Sequence, residues 1–394
     1  MKRLAILGST GSIGQSTLDV LTRFPGEFEV VALAARRSVD ALAQQAQRYR
    51  PRYVGLWEAA SAEALRDRLD STTTLVHGQA GLIHLATLPE VDRVILAMSG
   101  SDALVPLLHA VRAGKTVVVA NKECLVMGGG WLMREVAAHR ATLLPIDSEH
   151  NALFQCLEGR DRRDVTKLYL TGSGGPLRTL SKPEIAAATP TMVLNHPKWR
   201  MGRKITVDSA TLINKGLELI EAQQLFGLPL DQIEIVIHPE AAIHALVEWA
   251  DGTFTAQLAA CDMRIPIQWA LWYPEHRASA LPRLSLRELR TLTFEPPDGE
   301  RFPCLRLAQQ AARAGGTAPI ALNAANEEAV HAFLAQQISF GEIPAVIDVV
   351  LSRHTVGAAD RLEAILAADA AARVLARASL RARTLVVEAA RQEA

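Results

Sequence analysis

The 394-residue chain has only four cysteines, Cys124, Cys156, Cys261 and Cys304, widely scattered, with no CxxC pair and no histidine at zinc spacing. That pattern rules out a disulfide scaffold and a zinc knot, and reads as reduced core thiols in a cytoplasmic protein. Net charge is also missing: 42 Lys and Arg balance 42 Asp and Glu. No global field therefore favours nucleic acid or an anionic membrane as partner. No apolar run approaches the length that spans a bilayer, and the run after Lys2 and Arg3 extends only from Leu4 to Leu7, too short for a signal-peptide core. What is plentiful is apolar residue, 49% of the chain, enough for two or three domains with separate cores. No internal repeat is evident.

The first chemical signal is Gly8-Ser9-Thr10-Gly11-Ser12-Ile13-Gly14, directly after a strand candidate, Arg3 to Leu7, and before a helical pattern through Leu18 and Leu21. Glycines let the backbone approach a pyrophosphate, and the helix N-terminus supplies free N–H groups and a positive dipole end. The spacing is GxxGxxG, a variant of the dinucleotide fingerprint, and a plain tight turn would look similar. The second strand, Phe28 to Ala34, runs into Arg36-Arg37-Ser38. An NAD-binding fold usually carries an acidic residue there for the ribose hydroxyls; two arginines and a serine suit a 2′-phosphate and favour NADP(H) over a merely solvated helix start.

Alternation continues: helix Val39 to Tyr49, strand Tyr53 to Leu56, helix Ala60 to Leu69, strand Thr74 to His77, strand Val91 to Ala97, helix Leu104 to Ala113 and strand Thr116 to Ala120. This predicts a mostly parallel sheet covered on both faces, with ligands beyond the carboxyl ends of the strands. Asn121, Lys122 and Glu123 stand at one such end. Asp147-Ser148-Glu149 stands at another, after the apolar run Ala141 to Ile146. In an extended chain residues i and i+2 point to one side, so Asp147 and Glu149 can aim at one hard divalent cation. The same residues also suit a strand-to-helix junction with Asp147 or Ser148 as N-cap of a helix from about Asn151 to Leu157.

Further along, a strand from Lys167 to Thr171 ends in Gly172-Ser173-Gly174-Gly175-Pro176, a loop with exposed hydroxyl and N–H groups suited to phosphate. His196-Pro197-Lys198-Trp199-Arg200-Met201-Gly202 reads as a mobile lid. The stretch Asp208 to Glu218 reads as the opening of a helix towards Phe226, on which Ser209, Asn214, Lys215 and Glu218 form a polar cluster among apolar neighbours. A buried Lys215 and Glu218 need partners, which a phosphate and a cation supply.

Together, and in this order, Gly8 to Gly14, Asn121-Lys122-Glu123, Asp147 to Asn151, Gly172 to Pro176, His196 to Gly202 and Asp208 to Glu218 resemble the 1-deoxy-D-xylulose 5-phosphate reductoisomerase family over essentially the whole chain. Ile237 to Glu240 and Ile243 to Val247 resemble the family's strands behind the site, and Asp262 to Ile267 its second substrate-side turn. Arg36 and Ser38 stand where the family often has a small residue and an asparagine.

The resemblance implies an α/β chain with an N-terminal Rossmann-like NADP-binding domain (1–147), a central α+β catalytic and connective domain (148–273), a linker (274–303) and a small C-terminal helical domain (304–394). It implies a ketose phosphate as substrate, rearranged and then reduced by NADPH to 2-C-methyl-D-erythritol 4-phosphate in non-mevalonate isoprenoid precursor synthesis. A divalent cation, Mg²⁺ or Mn²⁺ with Co²⁺ as a further candidate, would sit on Asp147, Glu149 and Glu218. Lys122 would polarise oxygens near it. Ser148, Ser173, His196, Trp199, Met201, Ser209, Asn214 and Lys215 would contact substrate, with His196 and His244 able to move protons. Gly8, Thr10, Gly11, Ser12, Ile13, Gly14, Arg36, Arg37, Ser38, Asn121, Glu123 and Gly202 would contact the cofactor. A homodimer is the family expectation. Two other readings remain open on sequence: another NADP-dependent dehydrogenase of a small phosphorylated carbonyl compound, and a non-catalytic NADP sensor.

Overall fold

The computed structural model describes residues 1–392. Its chain divides into two compact units. The first comprises Met1–Cys124, Leu132–Phe154 and Asp262–Arg283, and the second Leu125–Trp131, Gln155–Cys261 and the chain from Leu284 onward.

In the first unit, seven strands form one parallel sheet: β1 (Lys2–Leu7), β2 (Phe28–Ala35), β3 (Tyr53–Leu56), β4 (Thr74–His77), β5 (Arg93–Leu96), β6 (Thr116–Val119) and β7 (Thr142–Pro145). Their order is β4-β3-β2-β1-β5-β6-β7, with Leu7 paired to both Ala34 and Leu96. Helices cover the faces, so Leu4, Ala5, Ile6 and Leu7 are all fully buried and the strand is an unbroken apolar run rather than an alternating one. Strand order reverses at β1, which creates the crevice at its carboxyl end where α/β sheets hold ligands. Asp262 to Ile267 is not a free turn. It opens the helix Arg264–Trp272, whose Ile267, Trp269, Leu271 and Trp272 join the sheet's core. Arg264 fixes that return by pairing with Asp262 at 2.6 Å and Asp19 at 2.7 Å.

Two helices of this region escaped the sequence pattern, Gly78–Thr87 and Lys122–Ala138. The latter contains Gly128-Gly129-Gly130 and is kinked at Gly129 (φ 48°, ψ −145°), so propensity argues against a helix that burial nevertheless stabilises.

In the second unit a four-stranded mixed sheet has the order β11-β10-β8-β9: β8 (Val165–Gly172), β9 (Ile233–Ile237), β10 (Ile243–Trp249) and β11 (Phe254–Leu258). Helices follow at Pro303–Ala314, Ala318–Leu334, Ile343–Arg353 and Leu362–Gln392. Arg373 ties the last to Ala318–Leu334 by meeting Glu327 at 2.6 Å. Among the described residues no helix is long and apolar enough to cross a membrane.

Candidate active site and cofactor cleft

The glycine turn sits at the crevice beyond β1. Gly8 has φ +93°, and a Cβ there would lie 2.4 Å from the carbonyl oxygen of Ala97, so only glycine lets the turn pass the end of β5. The helix Ser12–Thr22 begins with no side-chain cap, and Gly11 and Ser12 are exposed, leaving its first N–H groups open to an anion. A cleft beside it is lined by Gly8, Thr10, Gly11, Arg36, Trp57 and Ser99. Trp57 was invisible as a site residue in the sequence, because nothing near β3 carries a motif. Arg36, Arg37 and Ser38 are all exposed at the end of β2. Arg36 is partly neutralised by Asp102 at 3.1 Å and Glu58 at 3.5 Å, whereas Arg37 has no carboxylate partner among the described residues. An open helix end and an unpaired guanidinium fit a dinucleotide with a 2′-phosphate. Asn121 is buried; its Oδ1 accepts from the Cys124 N–H while its Nδ2 donates to the carbonyls of Met98 and Gly100, so it holds the cleft's far wall in place.

At the ends of β6 and β7, Lys122 Nζ lies 2.6 Å from Asp147 Oδ2, with both side chains almost wholly buried. Burial alone would push the Asp147 carboxyl up; the Lys122 ammonium and the His150 ring, 3.5 Å away, outweigh it and hold the group well below the usual carboxylate range. Glu149 accepts a 2.5 Å hydrogen bond from the Ser148 hydroxyl. The extended-strand argument for Asp147 and Glu149 does not survive: the helix is Ser148–Leu157, and the Asp147 carbonyl already accepts from the Asn151 N–H. Asp147 thus stands at the cap position and Glu149 in the first helical turn. Both are hard carboxylate donors at a helix N-terminus. Glu123 is buried in the first turn of the preceding helix.

The second unit carries the rest of the candidate residues. The stretch Asp208 to Glu218 is two helices, not one: Arg203–Ala210 and Ile213–Phe226, broken at Leu212 with φ 58°. A left-handed leucine costs roughly 1–2 kcal/mol. Its effect is to put Ser209 at the end of one helix and Asn214, Lys215 and Glu218 on the first turns of the next. Lys215 Nζ meets Glu218 Oε2 at 2.7 Å, and the Asn214 amide donates to the other oxygen of Glu218. Gly175 (φ +73°) lies so close to this site that a Cβ would be 2.6 Å from the Ser209 carbonyl oxygen, which seats the Gly172–Pro176 loop on the helix end.

Ser173 Oγ is 3.2 Å from His196 Nε2. His196 Nδ1 accepts from the N–H groups of Lys198 (3.1 Å) and Trp199 (2.9 Å), which fixes the neutral ring as the Nε2–H tautomer donating to Ser173. Burial first, and the Lys215 charge second, push the His196 pKa down to about 4. Trp199 and Met201 are half-buried, the Trp199 ring 5.9 Å from that of the buried His244. Gly202 is the exposed N-cap of Arg203–Ala210.

In both units a carboxylate is ion-paired with a buried ammonium, Asp147 with Lys122 and Glu218 with Lys215. A parallel sheet with a glycine turn at its switch point defines an α/β protein of the Rossmann-type dinucleotide-binding class. The models of one family cover most of it: 1-deoxy-D-xylulose 5-phosphate reductoisomerase at residues 4–129, that family's C-terminal domain at 143–226, and the DXP reductoisomerase C-terminal domain at 258–375. The chain belongs to the 1-deoxy-D-xylulose 5-phosphate reductoisomerase family. It is 50% identical over 382 residues to the 1-deoxy-D-xylulose 5-phosphate reductoisomerase of Desulfosudis oleivorans, covering 96% of this chain and 100% of that one. It is 50% identical over 379 residues to that of Ralstonia pickettii, covering 95% and 96%. A crystal structure of DOX-P reductoisomerase in complex with NADPH, fosmidomycin and magnesium superposes with a TM-score of 0.93 at 40% identity, covering 97% of this chain and 98% of that one. The Zymomonas mobilis enzyme in complex with NADPH gives 0.89 at 40% identity, covering 96% and 98%.

Proposed function

We propose that the protein catalyses the NADPH- and divalent-cation-dependent conversion of 1-deoxy-D-xylulose 5-phosphate to 2-C-methyl-D-erythritol 4-phosphate, a step of non-mevalonate isoprenoid precursor synthesis. The observation that carries this reading is half-identity to a named reductoisomerase along 96% of the chain. Residues 1–147 would serve as the NADPH domain, 148–273 as the catalytic and connective domain, 274–303 as linker and 304–394 as the helical domain. Support for a cytoplasmic setting comes from the four cysteines, none of which forms a disulfide among the described residues. A homodimer is the assembly we expect, checked by light scattering.

In this reading Asp147, Glu149 and Glu218 hold one Mg²⁺ or Mn²⁺, and the glycine turn with Arg36, Arg37 and Ser38 holds NADPH. When bound, the cation supplies Lewis-acid polarisation of substrate oxygens and NADPH the hydride. The chain's own residues do the rest. Lys122, held at Asp147, balances the carboxylates and offers N–H donors to substrate oxygens. Ser173, Ser209, Asn214 and Lys215 grip the phosphate and fix the substrate through both stages. His196, neutral near pH 7, directs its Nε2–H at Ser173 and the phosphate loop rather than adding charge. Trp199 and Met201 close over the substrate and exclude water.

The test is NADPH oxidation by the purified protein with the ketose phosphate and Mn²⁺, with the product identified by NMR. A branched methylerythritol phosphate is the expected product. NADPH oxidation that yields an unrearranged alcohol would overturn the reading in favour of a simple dehydrogenase.

A further inference from the structure

The helix Arg203–Ala210 has only two turns, too few to be stable without tertiary support. It nevertheless joins three parts of the candidate substrate site. Its N-cap, Gly202, follows Trp199 and Met201; its last turn carries Ser209; and the Gly172–Pro176 loop rests on the Ser209 carbonyl. Asp208, next to Ser209, has a side chain 2% exposed. Its Oδ1 accepts from Asn326 Nδ2 at 2.9 Å and its Oδ2 meets Lys204 Nζ at 2.8 Å. Asn326 is fully buried on the Ala318–Leu334 helix, and its amide oxygen finds no donor among the described residues. A buried amide with an unmet acceptor is costly in a helix core. Among the described residues, the one hydrogen bond its side chain makes is the one to Asp208.

We propose that Asp208 and Asn326 are positioning residues for the substrate-phosphate cluster. The bond between them pins the short helix to the C-terminal helical bundle, and so sets where Ser209 and the Gly172–Pro176 loop stand. The bundle thereby governs substrate binding without touching substrate. This inference rests on the reading of Ser173, Ser209, Asn214 and Lys215 as the phosphate site.

The experiment compares wild type with Asn326→Leu, Asp208→Asn, the exchanged pair Asp208→Asn with Asn326→Asp, and Lys215→Met as control, recording KM for each substrate, kcat and melting temperature. Small displacements of binding groups cost up to about a hundredfold, so Asn326→Leu is expected to raise KM for the ketose phosphate about tenfold, with KM for NADPH unchanged. The exchanged pair restores the bond with donor and acceptor reversed, and should bring KM most of the way back. A lowered melting temperature with wild-type KM in both Asn326→Leu and Asp208→Asn would overturn the proposal and leave a purely structural contact. If Asn326→Leu does not fold, Asp208→Asn against the exchanged pair decides alone: failure of the exchange to improve KM refutes positioning. Lys215→Met separates the two levels. A raised KM there with unchanged KM in the Asn326 and Asp208 variants sinks only the positioning proposal, whereas an unchanged KM in Lys215→Met sinks the phosphate-site reading and the proposal with it.

Discussion

Lys122 and Asp147 meet at 2.6 Å with side chains 5% and 12% exposed, one from the end of β6 and one from the end of β7. The sheet brings them together, because β6 and β7 are neighbours in register, Val119 opposite Pro145. A buried pair of this kind contributes little net stability, but losing one member strands the other.

Lys122→Met should therefore cost about 3–5 kcal/mol of folding free energy measured without added cation, since Asp147 is left buried without its ammonium. Turnover should fall about a hundredfold or more, as it does when a preorganised donor is removed. Mn²⁺ should raise the melting temperature of the variant more than that of wild type, because the dication supplies the missing positive charge. Equal Mn²⁺ stabilisation in the two proteins would mean that Asp147 is not a cation ligand.

The two arginines after β2 are not equivalent. Arg36 already faces Asp102 and Glu58, while Arg37 has no acidic partner among the described residues. Loss of one charge-assisted hydrogen bond costs about 1.5–3 kcal/mol, roughly ten- to a hundredfold in binding. Arg37→Ala should raise KM for NADPH by that order, and Arg36→Ala by less, with KM for NADH unmoved in both. Steady-state kinetics with the two cofactors checks this; equal losses for NADPH and NADH would remove the 2′-phosphate assignment.

How legible the site was depended on how local each constraint is. The parallel sheet could be read strand by strand: the central strands are buried apolar runs, and even the edge strand Thr74–His77, which has no buried residue, coincides with the sequence reading to the residue, as does Tyr53–Leu56. The helix Lys122–Ala138 could not, since three consecutive glycines deny it any propensity and only its burial holds it. The break at Leu212 was equally hidden, as leucine gives no warning of a positive φ that tertiary contacts impose. Asp147 and Glu149 stand out in the sequence through a strand-end geometry, i and i+2, that a helix start replaces. The partners of Arg36 come from the ends of other strands, at positions 58 and 102, and no local pattern announces them.

His196 offers a pH readout. Its pKa is pushed down to about 4, against an ordinary value of 6.5, first by burial and then by the Lys215 charge. Protonation would fall on Nδ1 and break the two hydrogen bonds it accepts from Lys198 and Trp199. Above pH 6.5 the ring is neutral in both folded and unfolded chains, so it adds no pH dependence. Between pH 6.5 and 4 the unfolded chain takes up a proton that the folded chain refuses, so stability falls as pH falls; below 4 the slope vanishes. An NMR titration of the ring should give a midpoint near 4, and His196→Gln should flatten the stability profile between pH 6.5 and 4. A midpoint near 6.5 would show that the ring is solvated and does not organise the Lys198–Trp199 turn.

The carboxylates provide the most direct test of the chemistry. Glu149→Gln keeps the side chain's size and one oxygen but removes a charge. As a mere first-turn residue of Ser148–Leu157, Glu149 would matter to stability alone, chiefly through the helix dipole, worth about 0.3–1 kcal/mol, and turnover would stay intact. As a ligand it is an anion that the cation needs, so cation affinity should drop and turnover collapse while NADPH still binds. Glu218→Gln separates the roles further. Lys215 and Asn214 both donate to Glu218, so the variant also loosens Lys215, and KM for the ketose phosphate should rise together with the requirement for Mn²⁺. Glu149→Gln, whose hydrogen bond comes from Ser148, should raise the Mn²⁺ requirement with a smaller effect on that KM. A Mn²⁺ titration followed by NADPH oxidation, wild type beside the two variants, reads both effects at once. Wild-type turnover and an unchanged Mn²⁺ midpoint in both variants would mean that these carboxylates do not hold the cation, and the mechanism built on them would fall.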